Sequence, residues 1–462
     1  MDTNAPKTPA TLPFAAWQSL SSREAAREVH TRIAALPENL RRAALAWVRP
    51  EVQLAEELDK AGTVGGALRP DPAAAAGVSS GQKAAPAANH PLQGIPYLLK
   101  DLFDLAGVPT QAGSTFLDSV RGTPAANSAL PRQLQALGAA CAGKTHLVEF
   151  AAGLFGDNSH YGDCPHPHDP TRLSGGSSSG SAALVGAGVV PLAVGTDTGG
   201  SVRVPAAFCG VYGFRLSPGD AFIGDAMPLS PSLDTAGWFT ANATDMQVAW
   251  SALASSGRRA TAGGASDLTI AATFKGTYLP SAGFGISFDS ATAAAYERAA
   301  AALAKPADAA AAGALFASWL GAIDAYTTTA LHEANAIHRN WLAPYREHYE
   351  PGIWQRFSDG GRFTAAQLAA AAATFERVRA TFRQFFKDHD YLVLPATPFP
   401  ALRKADCTPD ARKALLTLTT PASLAGLPVL TIPVMLPSGL SSGLQVIVPR
   451  ADSPVVSWLL KL

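Results

Sequence analysis

Short apolar runs alternate with helical patterns in this chain, and this alternation limits the possible folds more than any other feature. Apolar runs cover residues 95–99, 139–142 and 189–194, and a helix-like stretch at 128–137 lies between the first two. Strands that alternate with helices predict an α/β core with a buried sheet. Further buried-strand candidates lie at residues 391–396, 428–434 and 443–448. We therefore predict a single large α/β domain, in which helices cover both faces of a mixed, twisted sheet of about ten strands.

The predicted domain spans residues 16–462, with a catalytic core at about residues 90–240. Residues 1–15 are rich in Pro, Thr and Ala, so we expect a flexible N-terminal segment. The Gly- and Pro-containing residues 62–90 predict a surface loop. Residues 258–315 are rich in Ala and Gly and show too little periodicity for a prediction.

Two helices can be predicted with their boundaries. Ser21 and Glu24, three residues apart, form a capping-box pattern that predicts the first turn of a helix. Over residues 364–387, large apolar side chains recur at spacings of three, four and seven, which is typical of one buried helix face.

The composition argues against several classes of protein. The chain has 462 residues, of which 47% are hydrophobic and 16% charged, and this favours a large core over a disordered chain. Lys plus Arg equals Asp plus Glu at 36 each, so we expect neither a nucleic-acid partner nor a membrane surface. Four cysteines are too few for a disulfide scaffold. No secretory signal is evident, and we expect a cytoplasmic protein.

Residues 173–205 carry the most informative pattern, two glycine-rich turns that each contain serine. The first turn, residues 175–180, precedes a helix-like segment, and the second, residues 195–201, follows a strand-like run. Glycines allow positive φ angles, and successive N–H groups in such turns can form a nest for an anion. Because an oxyanion is such an anion, a serine at the end of the nest is a candidate nucleophile.

Other interpretations of these motifs stay open from the residues alone. The turns could be flexible Gly/Ser loops or a phosphate cradle, and residues 176–180 match the Gly-x-Ser-x-Gly elbow without a clear preceding strand. Residues 138–145 match the P-loop pattern, but a helix-like stretch precedes them where a P-loop needs a strand. Residues 164–169 hold one Cys, two His and one Asp, although alternating prolines would splay these potential metal ligands apart.

A lysine could activate a serine in this chain, since none of the ten histidines stands out as a catalytic base. Lys100 ends the first apolar run, and desolvation at the end of a buried strand lowers the pKa of a lysine from its usual value of about 10.4. A neutral lysine can take a proton from a nucleophile. The alternative is a strand-end lysine that reaches solvent beside Asp101.

The order and spacing of these motifs resemble the amidase signature family. The resemblance extends from about residue 20 to the C-terminus and is weakest over residues 62–90 and 258–345. The resemblance identifies the P-loop-like segment as the end of a strand. The segments that carry it are residues 94–101, 143–145, 175–178, 195–205 and 209–214.

The resemblance implies a Ser–cisSer–Lys triad. In it Ser201 is the nucleophile, Ser177 follows a cis peptide bond and relays protons, and Lys100 is the base. The resemblance also implies an oxyanion hole of backbone N–H groups and side chains that support the turn, with no metal and no cofactor. The implied oxyanion-hole residues are Thr198, Gly199, Gly200 and Ser201, and the implied support residues are Ser178, Asp197 and Arg203.

Within the family, residues 158–162 and 168–169 resemble those of bacterial enzymes of small ureido compounds, such as carboxybiuret hydrolase, and of broad aryl amidases that take carbamates. This implies an amidohydrolase that cleaves the C–N bond of small amides, with esters and carbamates (urethanes) as further substrates. The alternative is the catalytic subunit of a ureido-compound hydrolase or glutamine-dependent amidotransferase complex. The expected partner is a small-molecule substrate, and the expected oligomeric state is a monomer or homodimer.

Departures from the family pattern leave the substrate open. Ser179 stands where the family usually has glycine, which adds a hydroxyl near the implied triad. The sequence of residues 220–232, a segment that often lines the acyl pocket in this family, also differs from the family pattern. The candidate pocket residues, for each of which core packing is the alternative, are Phe155, Tyr161, Phe222, Met227 and Trp354.

Overall fold

Eleven strands form one mixed sheet in the computed structural model, which describes residues 10–61, 90–254 and 274–462. Most of the strands are short and fully buried, as the apolar runs predicted. In chain order they are β1 Leu45–Val48, β2 Pro96–Lys100, β3 Ala140–Thr145, β4 Leu192–Asp197, β5 Tyr212–Arg215, β6 Thr235–Thr240, β7 Gly276–Tyr278, β8 Lys305–Pro306, β9 Tyr391–Pro395, β10 Val429–Met435 and β11 Ser441–Ile447.

The strands are arranged in the order β1-β3-β2-β4-β6-β5-β10-β11-β9-β7-β8. β2 is parallel to both β3 and β4, whereas the pairs from β4 across to β9 are antiparallel. β7 pairs in parallel with β9 and β8. The three C-terminal strands therefore join the sheet that contains β2, which confirms the predicted single α/β domain with a mixed sheet.

Helices pack on the sheet and on one another. The two predicted helices are confirmed, and each begins with a capping box, formed by Ser21 with Glu24 and by Thr364 with Gln367. The α-helices are α1 Phe14–Gln18, α2 Ser22–Ala34, α3 Glu38–Ala44, α4 Glu51–Ala61, α5 Leu117–Arg121, α6 Ala129–Ala136, α7 Ser179–Gly186, α8 Arg203–Cys209, α9 Ala243–Leu253, α10 Ser290–Leu303, α11 Ala309–Ser318, α12 Ala322–His338, α13 Pro351–Gly360, α14 Ala365–Phe385, α15 Pro409–Ala425 and α16 Pro454–Leu459.

Small residues on β5 and β6 allow α8 to lie close to the sheet. Gly213 and Gly237 lie on the face toward α8, where an added Cβ on either residue would meet Val202 within 3.0 Å. Phe214 and Trp238 point to the opposite face, because strand side chains alternate, and their rings pack 5.3 Å apart. The small residues thus allow the turn before α8 to lie against the middle of the sheet.

The predicted N-terminal boundary needs correction. α1 begins at Phe14, whose ring is buried and whose N–H donates to Asp245 Oδ1 at 3.0 Å. Trp17 in the same helix is fully buried. The domain therefore begins before residue 16, because two large apolar rings anchor this helix to the core. Residues 1–9 and nearly all of the predicted loop at 62–90 lie outside the described residues.

The segment that sequence periodicity left unassigned contains regular structure. Beyond residue 273 it holds β7, α10, β8 and most of α11. Asp289 and Asp308 cap the two helices by accepting hydrogen bonds from backbone N–H groups. Alanine dominates both helices, so their apolar faces differ little from their solvent faces, and this explains the weak periodic signal.

Residues 309–338 are long and apolar enough, by length and composition alone, to cross a membrane. In the structure this stretch is two helices, α11 and α12, and Gly321 between them has a φ of 77°. α12 packs against α13, α14 and α15, and Ala334 and His338 are buried. A single stretch that passes this test of length and composition is weak evidence for a membrane span.

Candidate active site

β2 brings Lys100 into a group of three hydroxyls. The Lys100 side chain is fully buried. Its Nζ lies 2.8 Å from Ser177 Oγ, 3.0 Å from Ser178 Oγ and 2.7 Å from Thr196 Oγ1. The lysine therefore faces the first glycine-rich turn and the end of β4 rather than solvent, which decides between the two interpretations of this residue.

The electrostatics of the site favour a neutral lysine. Burial lowers the pKa of Lys100 from 10.5 to about 7, although Asp197 and Asp234 act in the opposite direction. A neutral amine has one lone pair and can accept a proton from a neighbouring hydroxyl. The Ser178 hydroxyl donates to the Thr196 carbonyl at 3.2 Å, so the Ser177 hydroxyl is the better placed of the two serines to donate to Lys100.

The first glycine-rich turn holds Ser177 between two backbone segments. The Gly176–Ser177 peptide bond is cis, as the family resemblance implied. The Gly176 N–H donates to the Leu154 carbonyl at 2.8 Å, and the Ser177 carbonyl accepts from Val148 N–H at 3.2 Å. The Ser178 N–H donates to the carbonyl of Ser201 at 3.4 Å and so links the two turns.

Ser179, the departure from the family pattern, begins α7 and is buried. It lies beside the Cys164 thiol, whose pKa is raised to about 12 by burial even though hydrogen bonding to Ser174 and Ser179 acts in the opposite direction. The expected position of its hydroxyl near the triad is therefore corrected, because the helix start turns this side chain toward Cys164.

The second glycine-rich turn places Ser201 between β4 and α8. Gly199 packs so tightly on Tyr326 that an added Cβ would lie 2.4 Å from the phenol oxygen. Gly200 has a φ of +134°, a conformation that side-chain-bearing residues rarely adopt. These two positions explain why the turn requires consecutive glycines.

Three of the four backbone N–H groups in the implied oxyanion hole remain without an acceptor in the described part of the chain. They belong to Thr198, Gly199 and Ser201. The N–H of Gly200, in contrast, donates to Asp197 Oδ1 at 2.9 Å. The implied role of Gly200 is therefore corrected: its N–H braces the turn, because the Asp197 carboxylate lies directly behind it.

A buried carboxylate holds the second glycine-rich turn to the sheet. Arg203 donates to both oxygens of Asp197, at 2.8 and 3.0 Å, and Arg215 Nη1 donates to Oδ1 at 2.9 Å. Burial raises the pKa of Asp197, but attraction to the two guanidinium groups outweighs this effect and holds the pKa well below its usual range. The same carboxylate accepts from Val202 N–H at 2.9 Å. The structure thus brings Asp197 and Arg203 together beneath the turn, where the resemblance placed supporting residues.

Several residues of the site were missed by sequence reasoning. Thr196 belongs to the second turn motif and could have been identified there, and Arg215 directly follows the segment 209–214. Thr419, whose hydroxyl donates to the Gly199 carbonyl, and Tyr326, which packs on Gly199, lie more than 100 positions further along the chain. No local pattern marks these two residues. Asp234 accepts from Thr198 Oγ1 at 2.5 Å, and burial raises the pKa of this carboxyl to about 6.

Two neighbouring cavities lie beside the site. The inner cavity is lined by Ser201, Leu229 and Tyr326, among others. The outer cavity has a volume of about 440 Å³ and is lined by Phe155 and Glu350, among others. The lining residues that both cavities share are Ala152, Gly153, Leu154, Arg356 and Arg412.

Of the five predicted pocket residues, only Phe155 lines either cavity. Tyr161 stacks on the His146 ring at 4.0 Å, and Phe222 and Met227 lie in the hydrophobic core. Trp354 donates its indole N–H to the Leu342 carbonyl at 2.7 Å. These four predictions are corrected, because Phe222 and Met227 fill the core, and Tyr161 and Trp354 contact His146 and Leu342 instead of lining either cavity.

The competing interpretations of the motifs do not match the structure. Lys144 of the P-loop-like segment is the penultimate residue of β3 and pairs with Asp101 at 2.5 Å. The elbow-like serine turn follows Leu173, which forms only an isolated bridge, so the required strand is missing. His166 accepts from two backbone N–H groups, and no group of three or more His, Cys, Asp or Glu suited to a metal ion occurs in the described ranges. All four cysteines are free.

Comparisons with known proteins agree with this geometry. The Amidase family model matches residues 67–454. The 1-carboxybiuret hydrolase subunit AtzE of Pseudomonas sp. (strain ADP) is 33% identical over 362 residues, which cover 74% of this chain and 77% of that protein. The indoleacetamide hydrolase of Pseudomonas savastanoi is 43% identical over 155 residues, about a third of each chain. A crystal structure of an amidase has a TM-score of 0.73 at 28% identity and covers 95% of this chain and 98% of that chain.

The fold, the site and these similarities define a class of protein, the hydrolases that act on carbon–nitrogen bonds. The chain belongs to the amidase family, as its two glycine-rich turns and their spacing indicated. Enzymes of this family act on small-molecule amides.

Proposed function

We propose that this protein hydrolyses small amides through an acyl-enzyme on Ser201, with Ser177 and Lys100 as the proton relay. The observation that carries the proposal is the state of Lys100. Its side chain is fully buried, its pKa is lowered to about 7, and its Nζ lies 2.8 Å from Ser177 Oγ. A base with a pKa close to neutral pH is the kind that general acid–base catalysis requires.

Acylation begins with two proton transfers. Ser177 passes its hydroxyl proton to neutral Lys100 and takes the proton of Ser201, and the Ser201 oxygen attacks the amide carbonyl. The carbonyl oxygen becomes an oxyanion, which accepts hydrogen bonds from the free N–H groups of Thr198, Gly199 and Ser201. The bond that forms joins Ser201 Oγ to the carbonyl carbon.

Collapse of this intermediate breaks the C–N bond. Ser177 donates a proton to the leaving nitrogen and is reprotonated by Lys100, so the product leaves as a neutral amine. Water then attacks the ester of Ser201 through the same relay, with its proton passing to Lys100. The acid is released, and Ser201 and Lys100 return to their starting protonation states.

Carbamates and esters fit the same sequence of steps, and we include them in the proposal. A carbamate presents a carbonyl next to nitrogen and forms the same kind of intermediate. An ester has a better leaving group than an amide and depends less on protonation by Ser177. Leu229, Ala330 and Leu331 form an apolar part of the inner cavity wall, which favours small apolar groups against that part.

A second candidate is a catalytic subunit that acts only within a complex. It is favoured by one observation: the relative that matches 74% of this chain is named as a subunit of 1-carboxybiuret hydrolase. On this view the natural substrate is a ureido compound. The two candidates share the same chemistry at Ser201 and differ in the need for a partner.

The test uses the purified single chain, small amide, carbamate and nitrophenyl ester substrates, and a fluorophosphonate that labels active serines. We expect turnover without added metal and a label that peptide mass maps to Ser201. Ser201→Ala should lose several orders of magnitude in turnover, whereas Ser438→Ala, an exposed serine on the surface, should match wild type. A label on Ser177 or Ser178 instead would reverse the assignment. Labelling without turnover, followed by activity with a partner protein, would favour the second candidate.

The role of Lys100 has its own test. Lys100→Ala should lose amide hydrolysis more than ester hydrolysis for the same acyl group, because only the amine must be protonated on leaving. Lys100→Arg should not restore activity, since a guanidinium stays charged. If neither rate falls in Lys100→Ala, the proposed relay is wrong.

A further inference from the structure

Two arginines lie at the junction of the inner and outer cavities. Arg356 of α13 and Arg412 of α15 are the only charged residues that line both. In the described part of the chain, neither guanidinium has a carboxylate within the 4.0 Å of an ion pair. Arg356 Nε donates to the Gly352 carbonyl at 3.1 Å, and Arg412 Nε is buried without any hydrogen-bond partner among the described residues.

The acidic residues of the outer cavity, in contrast, are already partnered. Asp157 and Asp163 both face Lys404, at 3.8 and 3.1 Å. Glu149 lies 3.1 Å from His160 Nε2 and accepts from Glu350 N–H at 2.8 Å. The Glu350 carboxylate caps α13 by accepting from Gly352 and Ile353 N–H groups at 3.2 and 3.0 Å. These acids therefore make their short contacts elsewhere, and none of them forms an ion pair with Arg356 or Arg412 among the described residues.

The energetics of this arrangement favour a bound anion. Burial lowers the pKa of Arg356, and the nearby positive charge of Arg412 lowers it further, whereas Glu350 and Asp157 act in the opposite direction. A guanidinium nevertheless stays charged at physiological pH, so the junction of the cavities holds two like charges next to each other. A carboxylate between the two guanidinium groups would relieve this repulsion. It would also accept hydrogen bonds from the guanidinium N–H groups that have no acceptor, since guanidinium and carboxylate match in a bidentate geometry.

We propose that Arg356 and Arg412 bind a carboxylate on the substrate, so the preferred substrates are short amides that carry a carboxylate. The amide must be short, because Ser201 and both arginines line the same inner cavity. This inference rests on the proposed function for its reaction, since it names the substrate class of the same site. It assigns the two arginines to substrate binding rather than to the fold.

The test separates binding from turnover. Isothermal titration on the Ser201→Ala variant compares succinamate with succinamide, which differ only by a carboxylate in place of a neutral amide. We expect succinamate to bind at least about tenfold more tightly, the scale of a charge-assisted hydrogen bond. Adding Arg356→Gln or Arg412→Gln should bring the ratio of the two affinities close to one. Adding Arg412→Lys should retain part of the preference, because it keeps the charge.

The control is Arg383→Gln, which removes an exposed arginine on α14, and it should leave the affinity ratio unchanged. Equal affinity for the two compounds in the Ser201→Ala variant would overturn the inference. So would a preference for succinamate that survives both glutamine substitutions in variants with the wild-type circular dichroism spectrum. Tight binding of succinamate without Ser201-dependent turnover by the wild type would leave the anion site standing and would count against the proposed function.

Discussion

Lys100 shows how burial can change the reactivity of a single ionisable side chain. Its amine is surrounded by the hydroxyls of Ser177, Ser178 and Thr196, which can stabilise either protonation state. What shifts the balance toward the neutral form is burial, which the carboxyls of Asp197 and Asp234 oppose only in part. The chemistry that we propose at Ser201 therefore depends on the environment of a residue on another strand.

The pH dependence follows from this shift. Because the pKa of Lys100 is lowered to about 7 in the folded protein, the residue becomes protonated only as the pH falls through this value. We expect kcat/KM for an amide to rise through a midpoint near pH 7 and to level off above it. The measurement is a pH–rate profile of the wild type from pH 5 to 10.

Asp234 provides the control for this profile, since burial raises its pKa to about 6. If Lys100 is the titrating group, Asp234→Asn should keep the inflection and move it to a lower pH, because Asp234 raises the lysine pKa. An inflection that disappears in Asp234→Asn would assign the profile to the carboxyl instead.

The Asp197 carboxylate is the second residue-scale case. It neutralises one of two buried arginines and braces the nucleophile turn. We expect Asp197→Asn to lower the free energy of unfolding by about 3–5 kcal/mol, because Arg203 and Arg215 would remain buried with less compensation. Urea denaturation measures the change. Asp359→Asn breaks the exposed Arg362–Asp359 pair and should cost less than about 1 kcal/mol, and equal costs for the two variants would contradict the argument.

At the scale of elements, the two glycine-rich turns work as a pair. The first holds the relay serine at the start of α7, and the second presents Ser201 at the end of β4. They are linked by the hydrogen bond from Ser178 N–H to the Ser201 carbonyl. The absence of a side chain at Gly199 lets α12 approach this turn closely through Tyr326. The turn geometry is therefore set by a neighbouring helix as well as by its own sequence.

Gly199→Ala tests the contact between the turn and α12. An added Cβ would lie 2.4 Å from the Tyr326 oxygen, so the turn must shift and carry its N–H groups with it. We expect kcat to fall about 100-fold, as is typical when a catalytic group moves by about 1 Å. The matched control is Gly313→Ala in α11, where nothing lies within 4 Å, and it should leave kcat unchanged. Full activity in Gly199→Ala would show that the turn tolerates displacement.

At the scale of the whole molecule, the sheet is built from two contiguous parts of the chain. β1 to β6 form one side and β7 to β11 form the other, and they meet where β5 pairs with β10. Lys100, Ser177 and Ser201 all belong to the first part. Arg356 and Arg412, which line the cavities, belong to the second. The site is complete only because the two parts form one sheet.

Thr419 tests this dependence across the sheet. From α15 its hydroxyl donates to the Gly199 carbonyl at 2.6 Å, across 220 positions of sequence. We expect Thr419→Val to lower kcat about tenfold, the equivalent of one hydrogen bond, and Thr419→Ser to retain activity. Thr417→Val on the same helix removes a hydroxyl that bonds only within the helix, and it should behave like wild type. Equal rates in Thr419→Val and Thr417→Val would place the support of the turn entirely within its own half of the sheet.

Much of the fold and of the site could be predicted from local patterns. The strand at residues 391–395 is apolar and fully buried, and the strand at residues 429–435 is buried over its first three residues, as apolar runs in an α/β sheet predict. Lys100, Ser177 and Ser201 lie in motifs whose order identifies the family. Each of these features is encoded by a few neighbouring residues, so the sequence alone contains the information needed to predict it.

Only the tertiary structure decided which side chains meet. The aromatic residues predicted for the pocket, such as Trp354 and Phe222, are as apolar as core residues, and composition cannot separate the two roles. Gly200 was assigned to the oxyanion hole, yet its N–H faces Asp197 because of how the turn folds back. The sequence by itself determined the chemistry of the site, because that chemistry resides in short motifs. The tertiary structure determined its surroundings, including Arg356 and Arg412, because long-range packing brings together residues that no local pattern connects.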